Sequence, residues 1–187
     1  MGISTVVIDV ETQNGPDDVP GGWSNVAAFK CSCAVTATEG VGDPTFQTWW
    51  EDQVSSLIDH LSQHDRIVGF NIKRFDYAVL SAYGNVSHLF GKTIDILGMM
   101  YDRLGFRVSL QSLAEINFGQ SKLGTGVQAI EWWRTGDLDR LEKYCQEDVK
   151  ITRLLYQKIL ADGYLLYEDR RLGETCRVRL QIPARLT

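Results

Sequence analysis

The sequence predicts an α/β domain with a central mixed β-sheet flanked by helices, its first three strands antiparallel and its later ones parallel. Two observations carry this. Three strand-like segments, at 3–11, 26–36 and 45–50, precede any helical pattern. Short apolar runs then alternate with segments of helical period, the arrangement that layers helices over a sheet.

The elements follow in order. Residues 3–11 are rich in β-branched types and read as the first strand. A Gly-, Pro- and Asp-rich loop runs from Asn14 to Gly22, and a turn around Gly40–Pro44 separates the second and third strands. In 51–64, Val54, Leu57, Ile58 and Leu61 have helical spacing. Arg66–Phe70 suits a buried strand, Phe75–Tyr83 a helix and Lys92–Ile96 another strand. Short helices are expected at 97–104 and 109–118, the second with Ser109 as N-cap. The Gly-rich loop Ser121–Gly126 lacks a phosphate-loop signature. Helices follow at Ala129–Arg134 and Leu138–Ala161, with Gly163 placed as C-cap of the long one. Tyr164–Ile182 alternates about Arg170–Gly173 and suits a β-hairpin. The expected organisation is one domain over 1–162 and a C-terminal extension over 163–187.

Composition sets outer limits. The chain has 187 residues, 44% hydrophobic and 23% charged, enough for one domain with a real core. Its 24 acids against 19 bases give a net charge of −5, which argues against a basic nucleic-acid coat protein but not against local grip on a nucleic acid. No apolar run is long enough to span a bilayer, so no membrane partner is expected. Met1–Val10 has no basic region and carries Asp9, unlike a signal peptide, and Val6 stands where myristoylation wants Ser or Thr. The four cysteines (31, 33, 145 and 176) form no CxxC pair. Cys31 and Cys33, two apart in a strand, are expected to face the core. A reducing, cytoplasmic setting is the expectation.

The chemistry lies in the carboxylates. Asp9 and Glu11, two apart in a strand, point to one side. Two acids on one face of an apolar strand are costly unless something such as a divalent cation satisfies them. Asn71, Phe75 and Asp76 follow an apolar strand and open a helix, where open α/β sheets place ligands. Tyr144 and Asp148, four apart on a helix, share a face. Each segment alone also fits an ordinary reading: a solvated strand end, a first-turn helix acid, a polar helix boundary.

Together, in this order and about 60 to 70 residues apart, the three segments resemble the motifs of the DEDD (DnaQ-like) 3′→5′ exonucleases of the RNase H-like superfamily. The motifs are Asp9-x-Glu11, Asn71-x-x-x-Phe75-Asp76 and Tyr144-x-x-x-Asp148, the last marking the tyrosine subgroup (DEDDy). The middle motif is most similar to that of the proofreading domain of family B DNA polymerases, while RNase D shares the tyrosine subgroup. The resemblance covers about residues 3–160 and implies an RNase H-like fold.

It also implies a site. The catalytic residues would be Asp9, Glu11, Asp76, Tyr144 and Asp148, with the four acids holding two divalent cations, Mg²⁺ or Mn²⁺. Asp9 would bridge both ions, Glu11 and Asp148 would complete the shell of the first ion, and Asp76 would hold the other. Tyr144 would orient the attacking water; an unperturbed Tyr, with pKa near 10, is a poor free base. Setting the four site acids aside, the remaining charges nearly balance.

The implied substrate is the 3′ end of single-stranded DNA, slightly preferred, or RNA. Thr12, Asn71 and Phe75 are the candidates to touch the terminal nucleotide. Lys73, Arg74 and Lys122 are candidate phosphate contacts, although solvated surface describes any one of them as well. Trp49, Trp50, Trp132 and Trp133 invite base stacking, but paired tryptophans more often serve the core. The basic tail (Arg170, Arg171, Arg177, Arg179 and Arg185) could extend the nucleic-acid surface, mediate self-association, dock a polymerase or helicase, or cap the sheet. The alternatives to the exonuclease are an RNase D-like exoribonuclease and a non-catalytic RNase H-like binding module.

Overall fold

The computed structural model describes residues 3–40, 42–120, 124–169 and 173–183. Its centre is a five-stranded sheet in the order β3-β2-β1-β4-β5. The strands are β1 (Thr5–Thr12), β2 (Cys31–Thr38), β3 (Thr45–Trp50), β4 (Arg66–Gly69) and β5 (Thr93–Asp95). β1 pairs antiparallel with β2, and β2 with β3; β1 pairs parallel with β4, and β4 with β5. This is the predicted mixed sheet.

β1 is covered on both faces, which explains its nearly unbroken apolar run. Val6, Ile8 and Val10 pack with α1 (Val54–Ser62) and α2 (Asp76–Leu80). Val7 faces the other layer, which contains α3 (Ile96–Leu104), α4 (Leu110–Phe118), α5 (Gly126–Thr135) and the long α6 (Leu138–Asp162). The predicted stripe Val54, Leu57, Ile58 and Leu61 is buried. On α6, Leu141, Cys145, Val149, Thr152, Leu155, Tyr156 and Ile159 form the buried stripe. Ser109 caps α4 by accepting the Ser112 N–H at 3.1 Å, and Gly163 ends α6 in the left-handed region at φ 74°.

Two expectations need correction. The second strand begins at Cys31, not at 26: Val26–Phe29 is a 3₁₀ turn, and Lys30 at φ 58° breaks the extended run. Cys31 and Cys33 are both buried in the core, as expected, although in different layers, because a bulge sets Thr12 opposite Cys31 and Glu11 opposite Cys33, so Ser32 is extra. α5 starts at Gly126, three residues before the predicted Ala129, because the Thr125 hydroxyl accepts the Gln128 N–H at 3.2 Å and caps it there.

After α6, β6 (Tyr164–Asp169) and β7 (Glu174–Arg179) pair antiparallel. Their Leu165, Tyr167 and Val178, with Leu180 beyond, lie in the same core as α4 and α6. Arg177 lies 4.0 Å over the Tyr164 ring. Arg170, Arg171, Arg185 and Lys122 fall outside the described residues.

Candidate active site

The site forms where β1 outruns its neighbour. β1 pairs with β4 only from Thr5 to Val7, so its last residues leave the parallel ladder. Asp9 and Glu11 sit in that stretch on the face toward α6, while Val10 points to the opposite layer. Asp148 comes up from α6. One carboxylate oxygen from each of Asp9, Glu11 and Asp148 lies within 4.8 Å of the others. All three residues are partly buried.

Such crowding is electrostatically costly. Burial first, then the Asp148 and Asp76 charges, pushes the Asp9 carboxyl well above the usual carboxylate range. Burial and the Asp9 and Asp148 charges do the same to Glu11. Hard oxygen donors with no His or Cys in the group suit a cation such as Mg²⁺, Mn²⁺ or Ca²⁺. A bound cation would turn the repulsion among these acids into attraction. The residues therefore fit a divalent metal.

Asp76 stands beside this triad rather than inside it. It opens α2, is 3% exposed, and its carboxylate accepts its own backbone N–H and that of Val10. Those bonds only partly offset burial, which pushes its pKa up to about 8. The bond to Val10 ties α2 to the stretch of β1 between the two acids. The turn before α2 is fixed by Asp95, whose carboxylate accepts the N–H groups of Asn71 (2.9 Å), Lys73 (3.1 Å) and Gly98 (3.1 Å). Asn71 takes a left-handed φ of 67° there, which Asn tolerates.

Tyr144, one helical turn before Asp148, hydrogen-bonds to the Asp148 carboxylate. Burial, then the Asp148, Glu11 and Asp9 charges, holds its hydroxyl far above the ordinary Tyr range, so it stays protonated. The Trp132 ring packs edge-on against Tyr144 at 5.8 Å. Beneath the acids, the Cys145 thiol lies 3.6 Å from Asp9 Oδ2 and is hydrogen-bonded to Cys33.

Three cavities meet at these acids. One of about 810 Å³ runs over Asp9 and Asp148 past Asn71, Arg107, Ser109 and Glu168. One of about 660 Å³ is lined by Tyr144, Asp148, Lys143 and the Gly124–Gly126 segment. One of about 810 Å³ is lined by Asp9, Glu11, Thr12, Asp76, Phe75 and Trp23.

The predicted contact residues are distributed among them. Thr12 lines the third cavity, but its hydroxyl donates to the Asn14 carbonyl at 2.9 Å. Asn71 lines the first, and its Oδ1 accepts from Arg107 Nη2 at 2.9 Å. Phe75 lines the third. Lys73 instead lines a separate shallow cavity with Tyr77 and Phe90. Trp49 is buried and donates its indole N–H to Thr36, while Trp50, Trp132 and Trp133 pack on the core. Sequence reasoning missed Arg107, Lys143 and Trp23. Arg107 sits in an irregular segment and Trp23 in the single 3₁₀ turn Gly22–Ser24, both too short for periodicity to give a signal, although a tryptophan beside a Gly/Pro loop has no core pattern to explain it.

The family model RNase_H_2, of the RNase H superfamily, matches residues 42–160. The chain belongs to the RNase H superfamily. Its members are usually nucleases, which act on nucleic acid with divalent metals. A search of the curated proteins gave no match. The family match contains Asp76, Tyr144 and Asp148 but begins after β1, so Asp9 and Glu11 join the site through the fold.

Proposed function

We propose that the chain is a metal-dependent 3′→5′ exonuclease that hydrolyses phosphodiester bonds at the 3′ end of single-stranded nucleic acid, with DNA slightly preferred. The observation that carries this is the convergence of Asp9, Glu11 and Asp148 within 4.8 Å, with the Tyr144 hydroxyl bonded to Asp148. An endonuclease of the same superfamily has no need of that tyrosine. Asp9, Glu11 and Asp148 would hold one Mg²⁺ or Mn²⁺, and Asp76, with Asp9, another. When bound, the ions lower the pKa of a water and stabilise the attacking and leaving oxygens.

The chain's own groups do the rest. Tyr144, one helical turn before Asp148, orients the attacking water by hydrogen bonding; an ordinary Tyr, with pKa near 10, is a poor free base. The attacking water gives up a proton to solvent as its oxygen bonds to phosphorus, the P–O3′ bond breaks, the 3′ oxygen of the shortened strand takes up a proton to become its new 3′ hydroxyl, and the terminal residue is released as a 5′-mononucleotide. Asn71 and Phe75 hold the terminal nucleotide, and Arg107 and Lys143 supply positive charge where the strand's phosphates approach. We place the protein in the cytoplasm, where reducing conditions keep its free cysteines, among them the buried Cys33 and Cys145, as thiols.

The test uses 5′-labelled single-stranded DNA and RNA of one sequence with Mg²⁺ or Mn²⁺. Wild type should give a metal-dependent ladder of shortened strands on DNA at least as readily as on RNA. Asp148→Ala should abolish it, and Tyr144→Phe should slow it by about 10²-fold or more. A ladder that persists in Asp148→Ala would refute the assignment. A faster ladder on RNA would reassign the substrate to the RNase D type.

A further inference from the structure

Trp23 differs from the other four tryptophans in being 68% exposed. It is nevertheless seated. Its ring packs edge-on against Phe29 at 5.7 Å and tilted against Phe75 at 6.5 Å, and Phe29 and Phe75 meet at 6.4 Å. The cluster forms one wall of the cavity that reaches down to Asp9, Glu11 and Asp76. α5 contributes Val127, Ile130 and Arg134 to the lining of the same cavity.

The loop that carries Trp23 is braced. The Gln13 and Asn14 N–H groups donate to Lys30 and Phe29 carbonyls at 3.0 and 3.1 Å. Asp18 accepts the Gly15 N–H at 2.7 Å and pairs with Arg134 of α5 at 2.8 Å. A Cβ on Gly15 would lie 3.3 Å from Ile130, so loop and helix are in close contact. Gly21 at φ 89° lets the chain turn into the segment that presents the indole. The wall is therefore built before any ligand arrives, which lowers the ordering cost of binding.

A flat, exposed π-face over an aromatic floor, opening onto a carboxylate cluster, fits one kind of group attached to a phosphodiester: a nucleobase. The cavity on the other side of the acids has a different character, with Arg107, Ser109 and Glu168 in its lining. Resting on the exonuclease reading above, we propose that the space between Trp23 and α5 is the subsite for the base of the 3′-terminal nucleotide, with Trp23 as its stacking face. The continuing strand then leaves along the Arg107 side. Stacking accepts any base but requires one that is free to leave its partner, so the slot selects unpaired ends.

The test compares two 5′-labelled oligonucleotides that differ only at the 3′-terminal residue, which carries a base or is abasic. For wild type, kcat/KM should favour the base-bearing end by about ten- to a hundredfold, the range that stacking of one base supplies. Trp23→Ala should bring the ratio close to one, and Trp23→Phe should restore most of it. A merely structural residue would lower both rates and leave the ratio in place. Affinity for the same pair is measured in parallel by fluorescence anisotropy, with Ca²⁺ in place of Mg²⁺. A ratio unchanged in Trp23→Ala, in rates or in affinities, overturns the subsite. If wild type cleaves neither oligonucleotide, the exonuclease reading falls, and the affinity ratio alone decides whether Trp23 holds a base.

Discussion

Asp9, Glu11 and Asp148 oppose one another's ionisation, so the metal-free protein carries a stored repulsion. Mg²⁺ or Mn²⁺ should raise the thermal midpoint increasingly as its concentration exceeds the dissociation constant. Asp148→Asn, which removes one charge at nearly constant shape, should raise the midpoint without metal and lose most of the metal-induced rise. Differential scanning calorimetry with and without metal checks both. Asp76 adds a pH signature. Its folded pKa, about 8, stands above the ordinary value of 3.8, so the protonated form is favoured in the fold. That contribution is complete below about pH 4 and is lost as pH rises toward 8. Without metal, the stability difference between wild type and Asp76→Asn should therefore move against wild type across that window. A difference that is flat with pH would contradict the burial assigned to Asp76. Spacing of i, i+2 in a strand and i, i+4 in a helix shows only that Asp9 and Glu11 share one face and Tyr144 and Asp148 another; what singled these acids out in the sequence was the resemblance of the three segments to the DEDD motifs. Trp23 and Arg107 were not legible, because no periodicity governs segments so short or irregular.

Among the elements, the site depends on the turn between β4 and α2. Asp95, at the end of β5, accepts three backbone N–H groups, and this holds Asn71 and starts α2 at Asp76. Asp95→Ala should cost about 2–3 kcal/mol, since it orphans donors that now serve a carboxylate. It should also slow hydrolysis by loosening Asn71 and Asp76, and urea unfolding together with kcat/KM reads the two effects. Sequence patterning located this turn but not its anchor, because Asp95 lies more than 20 residues from Asn71 and Lys73. The same limit explains the second strand. Val26–Phe29 is apolar enough for a strand, and only the left-handed Lys30 and the pairing register show that extension begins at Cys31. The bulge that divides Cys31 from Cys33 is likewise a property of the pair β1–β2, not of either strand alone.

For the whole molecule, the three layers bring three distant segments to the end of one central strand, and the hairpin β6–β7 closes one side of the core. We propose that the described residues after 162, those of β6, β7 and the segment to Pro183, are integral to the fold rather than an appended module. Leu165, Tyr167, Val178 and Leu180 are each worth about 1.5–3 kcal/mol of burial, and together they reach the scale of a domain's whole stability. Arg66 of β4 reinforces the link, donating to Tyr156 Oη at 2.9 Å and to the Pro183 carbonyl at 3.0 Å. A chain ending at residue 162 should give no cooperative thermal transition, and one that unfolded like the full chain would contradict this. Among the described residues no helix is long and apolar enough to cross a membrane. The order of strands and helices was readable because short apolar runs and helical stripes alternate clearly. The docking of the hairpin was not, because its apolar positions do not say which surface they meet.

The most direct test of the exonuclease assignment compares a linear 5′-labelled single strand with a covalently closed circle of the same sequence, with Mg²⁺ and wild-type protein. We expect stepwise shortening of the linear strand from its 3′ end, release of single nucleotides, and an intact circle. Linearisation of the circle, or loss of the 5′ label as a mononucleotide before the strand shortens, would contradict the assignment.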